Sequence, residues 1–465
     1  MSEQLQVLEL LKKREPNIPR ALYDQGLGHL VQRGSRTGRL AVQDDETLML
    51  QLVALSLVGQ TRGDTVAVAL DKRDASSYTF VLATNRRHTV ADENRAHEFF
   101  QLAANAGSVR ALLLFTLKMS SRKVNRRLFK LRKSIAQCWP VIRRLLHGYR
   151  WPRNHDLRKR ARELLPVMHV MFGEIPLPKL YIKVMNALAR ALTPSLLFFE
   201  PPSNDDCGRF LDALNLATFI LSTRFISWAA RKSTYMAILE RRLYRVAQYL
   251  MGATSLLDMR RTLPRKGIAL PYVWAVVGEE PESVEDIFLL RTPLEVVREI
   301  DARWTETSLR ARLANWRKWV PSSTPRIHAE LRLIASCNRA VLDPSQDAYD
   351  PRKPAAVRIA SSHDVCTLCA LWVAVYNRHF GTRFKVSPAG GSGKIDRNWT
   401  FVLSPRDRPN QDVSELVYDL LEHELDRLQD SSRRPWEVLL RSLESWACIS
   451  GPEQVTVIRL DVVPR

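Results

Sequence analysis

The chain has 465 residues, 45% of them hydrophobic, which is enough for a sizeable core and more than one ordinary domain. Seventy lysines and arginines against 49 acidic residues leave a formal charge of +21, which suits either a polyanionic partner or a solvated basic face. The six cysteines show no disulfide framework, the opening M-S-E-Q-L-Q-V-L-E-L-L-K-K-R is no secretory signal, and no apolar run approaches the ~20 residues of a membrane span. These features exclude a disulfide scaffold and a helical membrane protein, and they point to the cytosol or nucleus with no membrane partner.

Residues 1–43 read as an N-terminal helical lead with a basic, glycine-containing loop. Asp44–Gln60 carries acids at its start, an apolar body and Gly59 near its end, so a helix is expected there. Thr65–Leu70 and Tyr78–Ala83 are β-branched or aromatic runs around the polar D-K-R-D-A-S-S, which predicts a β-hairpin ending at Thr84 and Asn85. From about Val90 to Pro321 apolar residues recur at three- and four-residue intervals and prolines punctuate the runs, so nearly all of this stretch is expected to be helical. No fixed-period repeat indicates a solenoid. Its most basic part is Lys118–Arg162, where Asp156 is the only acid and an apolar stripe runs from Val124 to Leu145. Arg126, Arg127, Lys130, Arg132 and Lys133 are candidate phosphate contacts, and a solvated helix face is the competing reading.

The C-terminal part returns to mixed structure. A helix is expected over Arg326–Ala340, a strand over Ala356–Ala360, and a helix over Cys366–Phe380. Strands are expected at Phe384–Val386 and Trp399–Leu403, on either side of a glycine-rich loop. Leu309–Trp319 is a weaker tryptophan-containing segment; helices at Val413–Leu428 and Pro435–Trp446 and a strand at Gln454–Val463 complete the pattern. Within it, His328 and Glu330 stand in P-R-I-H-A-E-L-R-L-I, and Cys366 and Cys369 in S-S-H-D-V-C-T-L-C. One imidazole and two thiolates supply three ligands of a tetrahedral Zn2+, and Glu330 lies two residues from the histidine without being a ligand. Three other readings stay open: a structural site with His363 as fourth ligand, a redox pair, or two buried cysteines without metal.

The H-x-E and C-x-x-C segments, H-A-E-L-R-L-I and C-T-L-C-A-L-W-V, resemble the cytidine deaminase-like superfamily. They look closest to its divergent fungal branch sometimes called OTT-like deaminases, in which a glycine-rich loop ending in tryptophan follows the cysteine helix, as Gly390–Trp399 does here. The resemblance implies an α+β, three-layer core of mixed sheet and helices, split by a large all-helical insertion. The domains implied are 1–43 as the lead, 44–86 as the first part of the core, 87–320 as a basic helical module folding on its own, and 321–465 as the second part with the zinc site. It also implies a hydrolytic, zinc-dependent deaminase acting on a nucleobase in a nucleotide or nucleic acid. Glu330 is then the catalytic proton carrier and His328, Cys366 and Cys369 are the zinc ligands. Asn85 is a substrate contact by its place after the hairpin, or alternatively the cap of a turn. Trp372 and Trp399 are candidate walls of a base pocket, or core. Two departures are Val365 before the first cysteine, where proline is usual, and G-S-G-K where a histidine is expected; the second, with the large insertion, carries an alternative: a catalytically silent deaminase-fold protein serving as a basic binding or scaffold module.

Overall fold

A computed structural model describes residues 44–59, 64–74, 77–151, 154–165, 175–192, 203–262, 270–275, 287–288, 322–323, 326–341, 357–363, 365–380, 384–387 and 399–400. The N-terminal lead, the segments expected at Leu309–Trp319, Val413–Leu428, Pro435–Trp446 and Gln454–Val463, and most of the glycine-rich loop before Trp399 lie outside the described residues.

Helix α1 (Asp45–Leu57) begins where the acids of D-D-E stand. The Asp44 carboxylate accepts the Thr47 N–H at 2.9 Å, and Asp45 and Glu46 sit in the first turn, where the helix dipole favours negative charge. Every residue from Thr47 to Leu57 is buried. A helix apolar on all sides has to be enclosed by other elements, and α1 is packed between a sheet and the later helices.

That sheet starts with the hairpin β1 (Val66–Asp74) and β2 (Ser77–Thr84), paired antiparallel with Val68 opposite Leu82. Its remaining strands are β3 (Tyr272–Trp274), β7 (Arg358–Ser361) and β8 (Lys385–Ser387), in the order β3-β2-β1-β7-β8. Two-residue pairs lie outside it: β4 (Ile287–Phe288) with β5 (Ser322–Ser323), and β6 (Arg326–Ile327) with β9 (Trp399–Thr400). β1 is antiparallel to both neighbours, whereas β3 runs parallel to β2 and β8 parallel to β7. Four of the five strands therefore end at one edge of a mixed sheet, the edge where β1 begins.

Side chains alternate across a strand, and here the two faces meet different neighbours. Val66, Val68 and Leu70 of β1, Phe80 and Leu82 of β2 and Ala360 of β7 join the main apolar core. Their alternates Ala67, Ala69, Val81, Ala83 and Ile359 are equally buried but lie outside that core. Helix α9 (Ala329–Val341) packs on β1, β2 and β7 from this second side. Alanine is a poor strand former, and three alanines on adjoining strands leave the room a helix needs to lie close.

The first face carries α2 (Val90–Asn105), α3 (Val109–Leu146), α4 (Asn154–Leu164), α5 (Leu177–Ala191), α6 (Asn204–Ser222), α7 (Phe225–Ala230) and α8 (Thr234–Thr262). These helices share one core with α1 and the hairpin, from Met49 through Leu270 to Ala360. α8 crosses α1 so closely that a Cβ on Gly252 would lie 2.5 Å from the Leu48 carbonyl oxygen. The expected helical stretch also yields β3, because the aromatic and β-branched Y-V-W pairs with β2 and adds an edge strand. The described helices from Val90 to Thr262, with β3, thus pack on the same core as the hairpin.

α3 departs from helical geometry at Ser120 (φ −125°, ψ 23°). There the Ser120 hydroxyl donates to the carbonyls of Leu55 (2.6 Å) and Val58 (3.3 Å), while Arg95 donates to Leu57 O at 3.0 Å. These carbonyls close α1 and have no partner inside it. The kink in α3 therefore satisfies the end of α1 and brings the residues after Ser120 to the strand-end edge.

Candidate metal centre

His328 and Cys366 occupy equivalent places, each just before the first residue of a helix. β6 runs into His328, whose carbonyl accepts the N–H groups of Leu331 (3.0 Å) and Arg332 (3.1 Å) as α9 begins. The helix expected from Arg326 thus starts three residues later, because Arg326 and Ile327 are taken up by pairing with Trp399 and Thr400. Cys366 precedes α10 (Thr367–Phe380), and its Sγ accepts the Cys369 N–H at 3.3 Å. A sulfur in the capping position of a helix is held by a backbone donor and by the positive end of the dipole, both of which favour thiolate.

The His328 Nδ1 lies 3.4 Å from Cys366 Sγ and 3.2 Å from Cys369 Sγ. All three candidate ligand atoms are within 4.8 Å of one another. A zinc ion about 2.0 Å from nitrogen and about 2.3 Å from sulfur, with tetrahedral angles, sets nitrogen and sulfur about 3.5 Å apart. The observed spacings fit that demand, and two thiolates with one imidazole are a donor set suited to zinc. Burial alone pushes the Cys366 thiol up, but its hydrogen bond with Cys369 and the adjoining His328 outweigh it and bring its pKa down to about 6. A metal ligand must be deprotonated, so this shift favours binding at neutral pH.

Glu330 lies inside the first turn of α9, only 2% exposed, with Oε2 3.9 Å from Cys369 Sγ. Two residues on, Arg332 is also buried; its Nε donates to Ile327 O at 3.2 Å, and burial lowers its pKa to about 10. Sequence reading passed over Arg332, although an arginine within the apolar run A-E-L-R-L-I is itself a signal, since a buried cation needs partners.

The other candidates fall into three groups. Asn85 directly follows β2, and its side-chain oxygen accepts the Thr65 N–H at 3.0 Å while its own backbone N–H donates to Thr65 O; it closes the mouth of the hairpin at the strand-end edge. Trp372 is fully enclosed in α10 and stacks on Tyr376, with ring centroids 4.8 Å apart, which is a core position. The backbone of Trp399 lies opposite Arg326, two residues before His328. Among the basic residues, Arg126, Lys130 and Lys133 are exposed and Arg132 is half-buried. Arg127 is engaged in packing: it donates to Arg245 O and lies over the Tyr249 ring. His363, considered as a fourth ligand, turns its Nδ1 to Thr65, Lys123 and Ser362 instead, at 3.2–3.3 Å.

Among the described residues no helix is long and apolar enough to cross a membrane. Comparison of the chain with protein-family models, curated proteins and solved structures finds no match. What class of protein this is therefore rests on the chain's own geometry.

Proposed function

We propose that this chain is a zinc-dependent hydrolytic deaminase acting on a nucleobase in a nucleotide or nucleic acid. The observation that carries the reading is the convergence of His328 Nδ1, Cys366 Sγ and Cys369 Sγ beside the buried carboxyl of Glu330. The element order supports it as well. α1, the β1–β2 hairpin, α9, β7, α10 and β8 follow the sequence of parts that the resemblance to the cytidine deaminase-like superfamily implies. Among the described residues no cysteine stands in a disulfide, which agrees with a reducing compartment, the cytosol or nucleus.

His328, Cys366 and Cys369 would hold the ion and leave one coordination position for solvent. Zn2+ bound there supplies Lewis-acid activation of a water molecule. The chain's own part is proton traffic and positioning. Glu330, two residues past His328 in the first turn of α9, carries two protons in turn at its carboxylate: the first from water to the ring nitrogen, the second from the hydroxyl added to the ring carbon to the amine, which leaves as ammonia. The two helix starts fix the ligands, and the enclosed position of Glu330 keeps bulk water from competing for that proton.

The test is conversion of cytosine and adenine in free nucleosides, mononucleotides and single strands, read by mass spectrometry, for zinc-loaded wild type and Glu330→Gln. The expected result is a mass gain of one unit on one base, lost in the variant while zinc and folding persist. Conversion that survives Glu330→Gln, or no conversion by fully zinc-loaded wild type, contradicts the reading.

A further inference from the structure

The strand-end edge holds a second polar cluster, which the metal centre does not use. Thr65 opens β1, Ser362 and His363 follow β7, and Lys123 arrives from α3 just after its kink. Lys123 Nζ is 3.2 Å from His363 Nδ1, and the hydroxyls of Thr65 and Ser362 are each 3.3 Å from the same nitrogen. An ammonium only donates, so the Nδ1 it contacts is the accepting nitrogen and the ring proton sits on Nε2. His363 is exposed and Lys123 half-buried. The cluster therefore sets an imidazole and an ammonium side by side at the strand-end edge. His363 is three residues before Cys366, a stretch of chain that spans at most about 11 Å.

Lys123 is also the first of a row. Lys123, Arg126, Lys130 and Lys133 follow at intervals of three and four residues, so they share one face of α3. Arg126, Lys130 and Lys133 are exposed, and no acidic residue occurs from Lys118 to Lys133. The opposite stripe, Val124, Leu128, Leu131 and Ile135, is buried in the main core, so the row is fixed to a rigid support. At 1.5 Å per residue it extends about 15 Å from the cluster. Point charges repeated along such a length match a chain of phosphates better than a single one.

We infer that the basic row of α3, ending at the Lys123–His363 cluster, is a track for the backbone of single-stranded nucleic acid and delivers one nucleotide to the metal centre. The inference rests on the deaminase reading for what happens to the base and goes beyond it in naming a strand as the substrate class. A single strand is specified because Cys366, Cys369 and Glu330 are buried beside the half-buried His328, and a base can reach them only out of a stack. The track omits Arg127, which is spent on packing against α8.

The test is fluorescence anisotropy of the full chain with a labelled mixed-sequence single strand of roughly 16 nucleotides, across a salt series. Wild type is compared with a track variant (Lys123→Gln, Arg126→Gln, Lys130→Gln and Lys133→Gln) and a charge-matched control (Arg144→Gln, Lys159→Gln, Arg160→Gln and Arg162→Gln). Circular dichroism melts check that each chain is folded. The expected result is at least about tenfold weaker binding by the track variant only, with a salt slope shallower by about 2 to 3, at ~0.7 per lost phosphate contact. A mononucleotide should compete poorly with the strand. Unchanged binding by the track variant, equal loss in the control, or efficient competition by a mononucleotide overturns the track. Zinc content and base conversion measured on the same wild-type preparation judge the deaminase reading separately. Strand binding through the row by a chain lacking zinc and conversion leaves the track standing without that reading. Zinc-loaded conversion of free nucleoside, with no effect of the row on strand binding, does the reverse.

Discussion

Along β1, Val66, Val68 and Leu70 alternate with Ala67 and Ala69, and the two sets serve different purposes. The large residues meet α1, which is covered in turn by α3 and α8, in a core where residues such as Phe80, Phe99, Phe100 and Leu50 are wholly buried. Each such side chain contributes roughly 1.5–3 kcal/mol by leaving water. The alanines meet α9, the helix that starts at His328 and carries Glu330. The candidate ligands and Glu330 thus lie on the thinner side of the sheet and at its strand-end edge. The stability that tolerates a buried Glu330 and Arg332 comes from the thicker side. Site precision follows from the same division, because α9 lies on strands already held by α1 from behind.

Three substitutions on the thick side sharpen this contrast, since each should lower stability without altering metal stoichiometry in the folded protein. The largest effect is expected at Gly252. A Cβ there meets the Leu48 carbonyl oxygen at 2.5 Å and Leu52 Cβ at 2.8 Å. Backbone cannot yield as a flexible side chain can, so the clash outweighs the ~1 kcal/mol helix-propensity gain over glycine. Gly252→Ala should cost about 1–3 kcal/mol in urea unfolding, and Gly252→Val more. An unchanged midpoint would mean that α8 and α1 are not in close contact.

Next is Asp92, which is buried, accepts two bonds from Arg86 (2.6 and 3.1 Å) and one from Arg95, and forms the capping box of α2 with Thr89. Burial pushes its carboxyl up, but Arg86 and the Thr89 donors overcome that and lower its pKa to about 2. A folded-state pKa below the unfolded value means stability present above about pH 4 and lost as pH falls toward 2. With solvent screening around the half-exposed Arg86, about 1–2 kcal/mol is expected. Asp92→Asn should be less stable than wild type by that amount at pH 7, and the gap should close between pH 4 and 2. A gap that persists at pH 2 would assign the effect to something other than charge.

The smallest effect is expected from Ser120→Ala, which removes the hydroxyl that closes α1. Loss of about 1 kcal/mol is expected from the unpaired Leu55 and Val58 carbonyls. No loss would mean that water replaces the hydroxyl.

The hairpin, α1, α10 and the strand before Cys366 were readable from the sequence because local pattern and local structure agree there. D-D-E before an apolar run is a helix start, and T-V-A-V-A-L is a strand in either context. The start of α9 was misplaced because a strand partner 73 residues away, Trp399 opposite Arg326, is invisible to local pattern. β3 was missed for the same reason: Y-V-W becomes a strand only by pairing with β2. In the site, His328, Glu330, Cys366 and Cys369 could be singled out by spacing, since coordination chemistry limits which residues can serve. Lys123 and His363 could not be paired that way, because 240 residues separate them and their contact depends on the kink at Ser120. Nor could the sequence tell Arg126, which faces solvent, from Arg127, which lies over Tyr249.

The most direct measurement is the metal content of the purified full chain by mass spectrometry of the elements, beside Cys366→Ser and Cys369→Ser. Zinc near one ion per chain in wild type, lost in both variants while circular dichroism shows them folded, is the predicted result. A well-folded wild-type chain without zinc after metal supplementation, or with zinc unaffected by either substitution, would contradict the metal centre and the chemistry built on it.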